Sequence, residues 1–156
     1  MAISLIKGIT EYNLKTIYED KYIIEAIRYD GNTPSPIIHP LVQYYSAFIN
    51  DVFVGAFIKI LYSEYERELH SLLLKSAIRC SRDFITMMID ECFLDKKILR
   101  ITFTIMEGMN TVSNTLIKIG ARLEGTKKDA IKKDGQIKDI HIYGLTKKEW
   151  EEPWQY

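Results

Sequence analysis

The run from Glu66 to Phe93 limits most severely what this chain can fold into. Its first part, Glu66–Lys75, reads ERELHSLLLK. In a strand, Glu68, His70, Leu72 and Leu74 fall on one face and Leu69, Ser71 and Leu73 on the other. Leucines on both faces suit a central strand covered on both sides. Directly after it, Ile85, Met88, Ile89, Cys92 and Phe93 are spaced as one apolar stripe of a helix. The stretch Ser76–Arg82 is then a short loop that presents the first amides of that helix. Those N–H groups have no intrahelical partner, and the helix dipole makes the spot favourable for an anion such as a phosphate.

The flanking segments supply the rest of a layered domain. Ile3–Ile6 is an opening strand. Thr10 or Asn13 is the expected cap of a helical segment over residues 13–29, read as one helix or, with the charged run Glu19-Asp20-Lys21 in its interior, as two short ones. Asp30–Pro40 contains Asp-Gly and three prolines and is read as a long loop over a cleft. Tyr44–Ile49 and Val52–Tyr62 form a hairpin turning at Asn50-Asp51, with Gly55 marking a bulge or a close backbone approach. Ile98–Met106 is another buried strand. Asn110 is the expected N-cap of a helix Thr111–Ile119 that closes at Gly120. Ala121–Lys133 and Gln136–Leu145 form a second hairpin across Asp134-Gly135, and Trp150, Pro153 and Trp154 lie in a short tail. The expected architecture is one α/β (α+β) domain over residues 1–156, with a mixed sheet of six or seven strands and about four helices on both faces.

Charge and composition exclude several function classes. The 21 basic residues equal the 21 acidic ones, which argues against electrostatic capture of nucleic acid or anionic lipid. The lysines at 127, 128, 132, 133 and 138 alternate with Asp129, Asp134 and Asp139, as on a solvated face. No apolar run reaches the ~20 residues of a membrane span, and MAISLIKGIT lacks the pattern of a signal peptide, so a cytoplasmic protein is expected. Cys80 and Cys92 are expected to be unpaired thiols in a reducing compartment, and no His or Cys spacing suggests a metal. The ten Tyr and six Phe read as packing residues rather than a base-stacking surface.

Five pieces in order, YYSAFINDVFVGAFIKI, ELHSLLLKSAIRCSRDF, ILRITFTI, NTVSNTLIKIGARLEG and IYGLTKKEW, resemble the GCN5-related N-acetyltransferase (GNAT) superfamily over roughly residues 40–150. That resemblance implies a GNAT-like acyl-CoA N-acyltransferase fold. It also implies a phosphate loop of the form Gln/Arg-x-x-Gly-x-Gly/Ala at the central helix, a pantetheine groove beside the fourth strand, and often a tyrosine acid on a later helix. The cofactor-binding positions it implies, should the chain be active with acetyl-CoA, are Leu72, Leu74, Arg79, Ser81, Arg82 and Asn110.

The chain departs from that pattern at several of these places. Arg79 matches the first motif position, but Arg82 and Phe84 stand where the glycines belong, and their side chains are expected to fill the pyrophosphate space. Asp83 brings a carboxylate to the same helix start, where it could occupy the anion site itself. The opposite reading has Arg79 and Arg82 holding phosphate by charge. Leu116 takes the place of the tyrosine. Glu68 and His70 share a strand face and form a candidate general base with its orienting group. The plainer reading is a half-buried strand histidine, with Glu68 paired to a lysine.

Two function classes follow. One is an N-acetyltransferase moving an acetyl group from acetyl-CoA to an amine. The other, favoured by the altered loop, is a non-catalytic protein of the same fold with no cofactor. In its opening, length and loop the chain resembles a small head-assembly protein family of short-tailed temperate phages. That implies other virion or assembly proteins as partners, a place in the host cytoplasm or the virion, and Tyr44, Tyr45, Trp150 and Trp154 as contact anchors.

Overall fold

The computed structural model describes residues 1–152. Among them, seven strands form one sheet: β1 (Ile3–Lys7), β2 (Val42–Ile49), β3 (Val52–Ile60), β4 (Glu66–Leu73), β5 (Arg100–Met106), β6 (Arg122–Lys133) and β7 (Gln136–Thr146). Their spatial order is β1-β2-β3-β4-β5-β7-β6. Every neighbouring pair is antiparallel except β4 and β5, which are parallel. Five α-helices accompany them: α1 (Glu11–Glu19), α2 (Lys21–Ile27), α3 (Ser81–Phe93), α4 (Asn110–Lys118) and α5 (Lys147–Glu151).

The segment expected as one helix or two is two. Thr10 caps α1 by accepting from Asn13 N–H, and Asp20 both ends α1 and caps α2 by accepting from Ile23 N–H. Both hairpins turn where the dipeptides indicated. Asn50 and Asp51 have φ of 48° and 64°, and Asp134 and Gly135 have 52° and 79°, the left-handed pairs that match strand twist. Asn110 is not a cap: it is the first residue of α4, and Met109 precedes it without a side-chain bond to the helix. The tail is also more regular than expected. Thr146 and Glu149 form a reciprocal capping box that starts α5. Trp154 lies outside the described residues.

The alternation along β4 divides the core into two layers. Ile17 of α1 and Ile23 of α2 pack on Ala56, Ile58 and Leu72. On the opposite face, Phe84, Met88, Ile89 and Phe93 of α3 pack with Val54, Phe57, Leu69 and Leu73. Gly55 lets β3 and β4 approach at that central position. Its φ is +146°, and a β-carbon there would lie 2.7 Å from Leu72 O and Leu73 Cα. Beside it, the β2–β3 register shifts between Ala47 and Phe48, with Val54 of β3 as the extra residue, so the glycine marks both a bulge and a close approach.

One charged group sits inside the α3 layer. Lys59 is buried, and its Nζ donates to Tyr45 Oη and Glu91 Oε2, both at 3.0 Å. Tyr45 Oη donates in turn to Glu91 Oε1 at 2.7 Å, and the ammonium lies 5.0 Å from the Tyr45 ring centroid. Tyr45 is therefore a core residue and not a surface anchor. Tyr44 is half-buried, with its hydroxyl bonded to the Ile37 backbone, and half-buried Trp150 donates its indole N–H to Asp90. Both cysteines are buried and unpaired, and burial pushes the Cys92 thiol up to about 12.

Two outcomes follow from this packing. Gly55→Ala forces a β-carbon against backbone at a strained φ and is expected to cost about 2–4 kcal/mol. The measurement is the urea midpoint at unchanged m; a cost below about 1 kcal/mol would show that β3 and β4 can move apart there. The second concerns alkaline pH. Burial works to lower the Lys59 pKa, but its bonds to Tyr45 and Glu91 and the Glu91 charge outweigh burial and hold it above the ordinary lysine value. Burial and the bond to Glu91 push the Tyr45 phenol up as well. In both cases the folded protein holds the proton more tightly than the unfolded chain. Their contribution is fully present below about pH 10 and is lost as the pH rises through the folded-state values. Urea titrations from about pH 8 to pH 11 should show falling stability, with a flatter fall in Lys59→Met.

Candidate functional site

The parallel pairing of β4 with β5 covers only Glu66↔Arg100, Arg67↔Ile101 and Glu68↔Thr102. Beyond Glu68 the strands part, and the gap opens into a cleft of about 570 Å³. Leu69–Leu72 of β4 and Phe103–Met106 of β5 line it, with Ala26 and Ile27 of α2, Val112 and Leu116 of α4, and Tyr29 to Ile37 of the following loop. The proline-rich loop thus does cover a cleft. A second cavity of about 110 Å³ shares Ala26, Ile27, Ser71, Leu72, Ile85, Met109 and Val112 with the first and reaches Ile78 and Ser81 at the start of α3. Together they make one apolar path from the centre of the sheet to the helix start.

Pairing parity decides which backbone faces that path. Leu74 N–H is bonded to Val54 O of β3 at 2.9 Å, and β4 pairs with β3 through Ile58↔His70 and Ala56↔Leu72. In an antiparallel pair, alternate residues direct both backbone groups to the same neighbour. The backbones of His70, Leu72 and Leu74 are therefore committed to β3. Those of Leu69, Ser71 and Leu73 face the side from which β5 has departed. Of the expected positions, Leu72 lines the cleft and Leu74 is tied to β3. Ser71 and Leu73 carry the backbone that faces the gap, a choice of parity that alternation alone does not make.

Glu68 and His70 come together. His70 Nε2 lies 3.1 Å from Glu68 Oε2, with the two side chains 34% and 19% exposed, and His70 is in the cleft wall. The partner of Glu68 is thus the histidine and not a lysine. Thr102 at the closed end donates to Glu66 Oε2 at 2.6 Å, which pins the strands where pairing stops.

The phosphate-loop region differs from its sequence reading in three ways. Lys75–Cys80 is a 3₁₀ helix that runs into α3, and Ala77 and Cys80 are buried under it. Phe84 does not point into ligand space: it is fully buried and packs on Phe57, with ring centroids 6.5 Å apart. Asp83 is exposed, no side chain caps α3, and among the described residues its carboxylate accepts no hydrogen bond. The protein therefore does not fill its own helix start. Arg79 and Arg82 are exposed there, and neither enters an ion pair among the described residues. Ser81 lines the smaller cavity together with Thr111 and Thr115, whereas exposed Asn110 lines neither.

Leu116 is buried in the cleft wall and supplies no proton. The cleft hydroxyls belong to Tyr18, Tyr29, Ser71 and Thr104, among others. Burial, and then the bond to Tyr44, raises the Tyr18 phenol well above the usual value. Among the described residues, no group of three His, Cys, Asp or Glu side chains could hold a metal, and no helix is long and apolar enough to cross a membrane.

No family model matches the chain, and no curated protein matches it by sequence. Its fold does match solved structures. Mutant forms of the spermidine/spermine N-acetyltransferase SpeG from Vibrio cholerae superpose with a TM-score of 0.78 at 10% identity, covering 99% of this chain and 100% of that one. The Vibrio cholerae spermidine N-acetyltransferase in complex with CoA and spermine gives 0.77 at 13% identity, over 96% and 98%. A SpeG point mutant from the same organism gives 0.80 at 11% identity, over 97% of each chain. At such identity the likeness establishes the fold: a seven-stranded mixed sheet of the GNAT acetyltransferase type. The resemblance to a phage head-assembly protein gains no support from these structures.

The place of Phe84 is testable through stability. Phe84→Ala is expected to cost about 3–5 kcal/mol, as for a fully buried aromatic. Placing glycine at both positions by Arg82→Gly with Phe84→Gly should then unfold the chain rather than open a ligand site. A Phe84→Ala variant with an unchanged urea midpoint would return this residue to the ligand path.

Proposed function

We propose that this chain binds an acyl-CoA thioester in the gap between β4 and β5 and transfers the acyl group to an amine. The observation that carries the reading is the parting of the two parallel strands after three residue pairs. It leaves the backbones of Leu69, Ser71 and Leu73 without a strand partner on the β5 side among the described residues, His70 in the wall with Glu68 bonded to it, and an apolar path to the start of α3. The residues present suit such a ligand. Extended pantetheine takes strand-like hydrogen bonds, and the backbones of Ser71 and Leu73 face the gap. Phosphates need donors, and Arg79 and Arg82 stand exposed at the helix start with no ion pair among the described residues. Guanidinium forks replace the bare amides of a glycine loop there.

When bound, acyl-CoA supplies an activated acyl carbon. The chain's own part is to hold it and to manage a proton. With Nε2–H donated to Glu68, His70 keeps Nδ1 as an acceptor for the amine proton, and the Glu68 carboxylate stabilises the imidazolium that forms. Leu116 offers the leaving thiolate no proton, which lowers turnover without blocking it. That leucine favours a second reading, a protein that binds acyl-CoA without turning it over.

Calorimetry with acetyl-CoA tests the first step. Saturable binding with Kd below about 100 µM is expected, weakened about tenfold or more by Arg79→Ala and by Arg82→Ala. Glu68→Gln and His70→Ala should each lower acyl transfer by about a hundredfold while acetyl-CoA still binds. Absence of binding at millimolar acetyl-CoA would sink the proposal, and binding without transfer to any amine would leave the second reading.

A further inference from the structure

Resting on the acyl-transfer reading, we infer that the acceptor is a monoamine on an apolar, ring-sized body, an arylalkylamine in chemical class, and not a polyamine. The cleft lacks acidic and basic side chains in its described lining, and one histidine stands in its wall. Among the described residues that line it, none is Asp, Glu, Lys or Arg; the titratable ones are Tyr18, Tyr29 and His70. Glu68 does not line the cleft itself but bonds the cleft histidine, His70, at 3.1 Å. One amino group therefore has a place, next to the group that takes its proton. The surface beyond it is built for a neutral body: Tyr18, Tyr29, Ile37, Ile58 and Ile60, with hydroxyls of Thr33 and Ser35 at the loop.

A polyamine carries further ammonium groups along its length. Each would leave water with no counter-charge, a cost that pairing normally offsets. The acids nearest the covering loop in sequence are already engaged. Glu25 is paired with Arg28, which also bonds Asp134. Asp30 accepts from the N–H groups of Asp134 and Gly135 at 3.0 and 2.8 Å. These bonds tie the start of the loop to the β6–β7 turn, so the carboxylates that hold the roof in place are not available to a ligand. The spermine seen with the Vibrio cholerae enzyme is thus a poor guide to this chain's acceptor, although the fold is shared.

The test compares phenethylamine with spermidine on the full chain, by two readouts. Calorimetry measures binding of each amine in the presence of CoA, and thiol release from acetyl-CoA measures transfer. Phenethylamine should bind and turn over at concentrations at least about tenfold lower than spermidine. Ile37→Glu adds a carboxylate at a half-exposed loop position of the cleft wall and should narrow that gap by improving spermidine. Spermidine matching or exceeding phenethylamine in the wild type, or phenethylamine failing to bind at millimolar concentration, would overturn the inference. If neither amine releases thiol but phenethylamine still binds more tightly, the acyl-transfer reading falls and the assignment of the cleft stands.

Discussion

Backbone hydrogen bonding between β4 and β5 stops after three residue pairs, and the candidate site depends on that stop. A buried strand normally satisfies both of its edges. Here β4 is paired with β3 from Glu68 to Leu73 and, among the described residues, has no strand partner on the other side from Leu69 onward. At the closed end, Thr102 bonds Glu66, and Arg100 bonds Thr102 and pairs with Glu124 of β6. Those contacts hold the strands together below the point of separation. Above it, α2, α4 and the covering loop line the space with side chains instead of backbone. What remains is an edge whose geometry suits an extended ligand, lined by apolar groups and closed at its base by an ion-pair network.

Keeping that edge open places demands on the other side of β4. Gly55 allows β3 to lie against Leu72 and Leu73 more closely than any side chain would permit. The α3 layer then fixes the sheet from below, with Phe84 against Phe57 and the Lys59–Tyr45–Glu91 network tying β2, β3 and α3 together. A buried ammonium of this kind is a weak source of net stability. It does fix the register of three elements at once, because each partner is supplied by a different one.

The helix start shows how a linear motif can mislead. Counting from Arg79 puts Arg82 and Phe84 on the glycine positions, and a glycine replaced by phenylalanine suggests a blocked loop. In three dimensions the two substitutions have different meanings. Arg82 is exposed at the helix start, where a guanidinium can meet an anion. Phe84 is two residues further on and has turned into the core, where it fills volume that a small residue would leave empty. Asp83, between them, makes no bond to the helix amides.

The amino-acid sequence by itself determined the order of the strands and of the helices between them, both hairpin turns, the role of Gly55 and the two-faced character of β4, and it marked Glu19-Asp20-Lys21 as the place where a helix can divide. Each of these rests on local chemistry: a left-handed turn dipeptide, an N-cap carboxylate, a period of two or of about four. It also brought Glu68 and His70 to one face, since alternation along a strand is geometric. Other features were decided only in the tertiary structure. They are the length of the β4–β5 pairing, the parity that turns Ser71 and Leu73 rather than Leu72 and Leu74 toward the gap, the helical form of Lys75–Cys80, and the burial of Phe84 and Tyr45. These depend on which distant segment lies alongside, and no local pattern specifies that. The absence of Asp, Glu, Lys and Arg from the described cleft lining is of the same kind, because its walls are gathered from α1, α2, α3, α4, the covering loop and five strands, which meet only once the chain has folded.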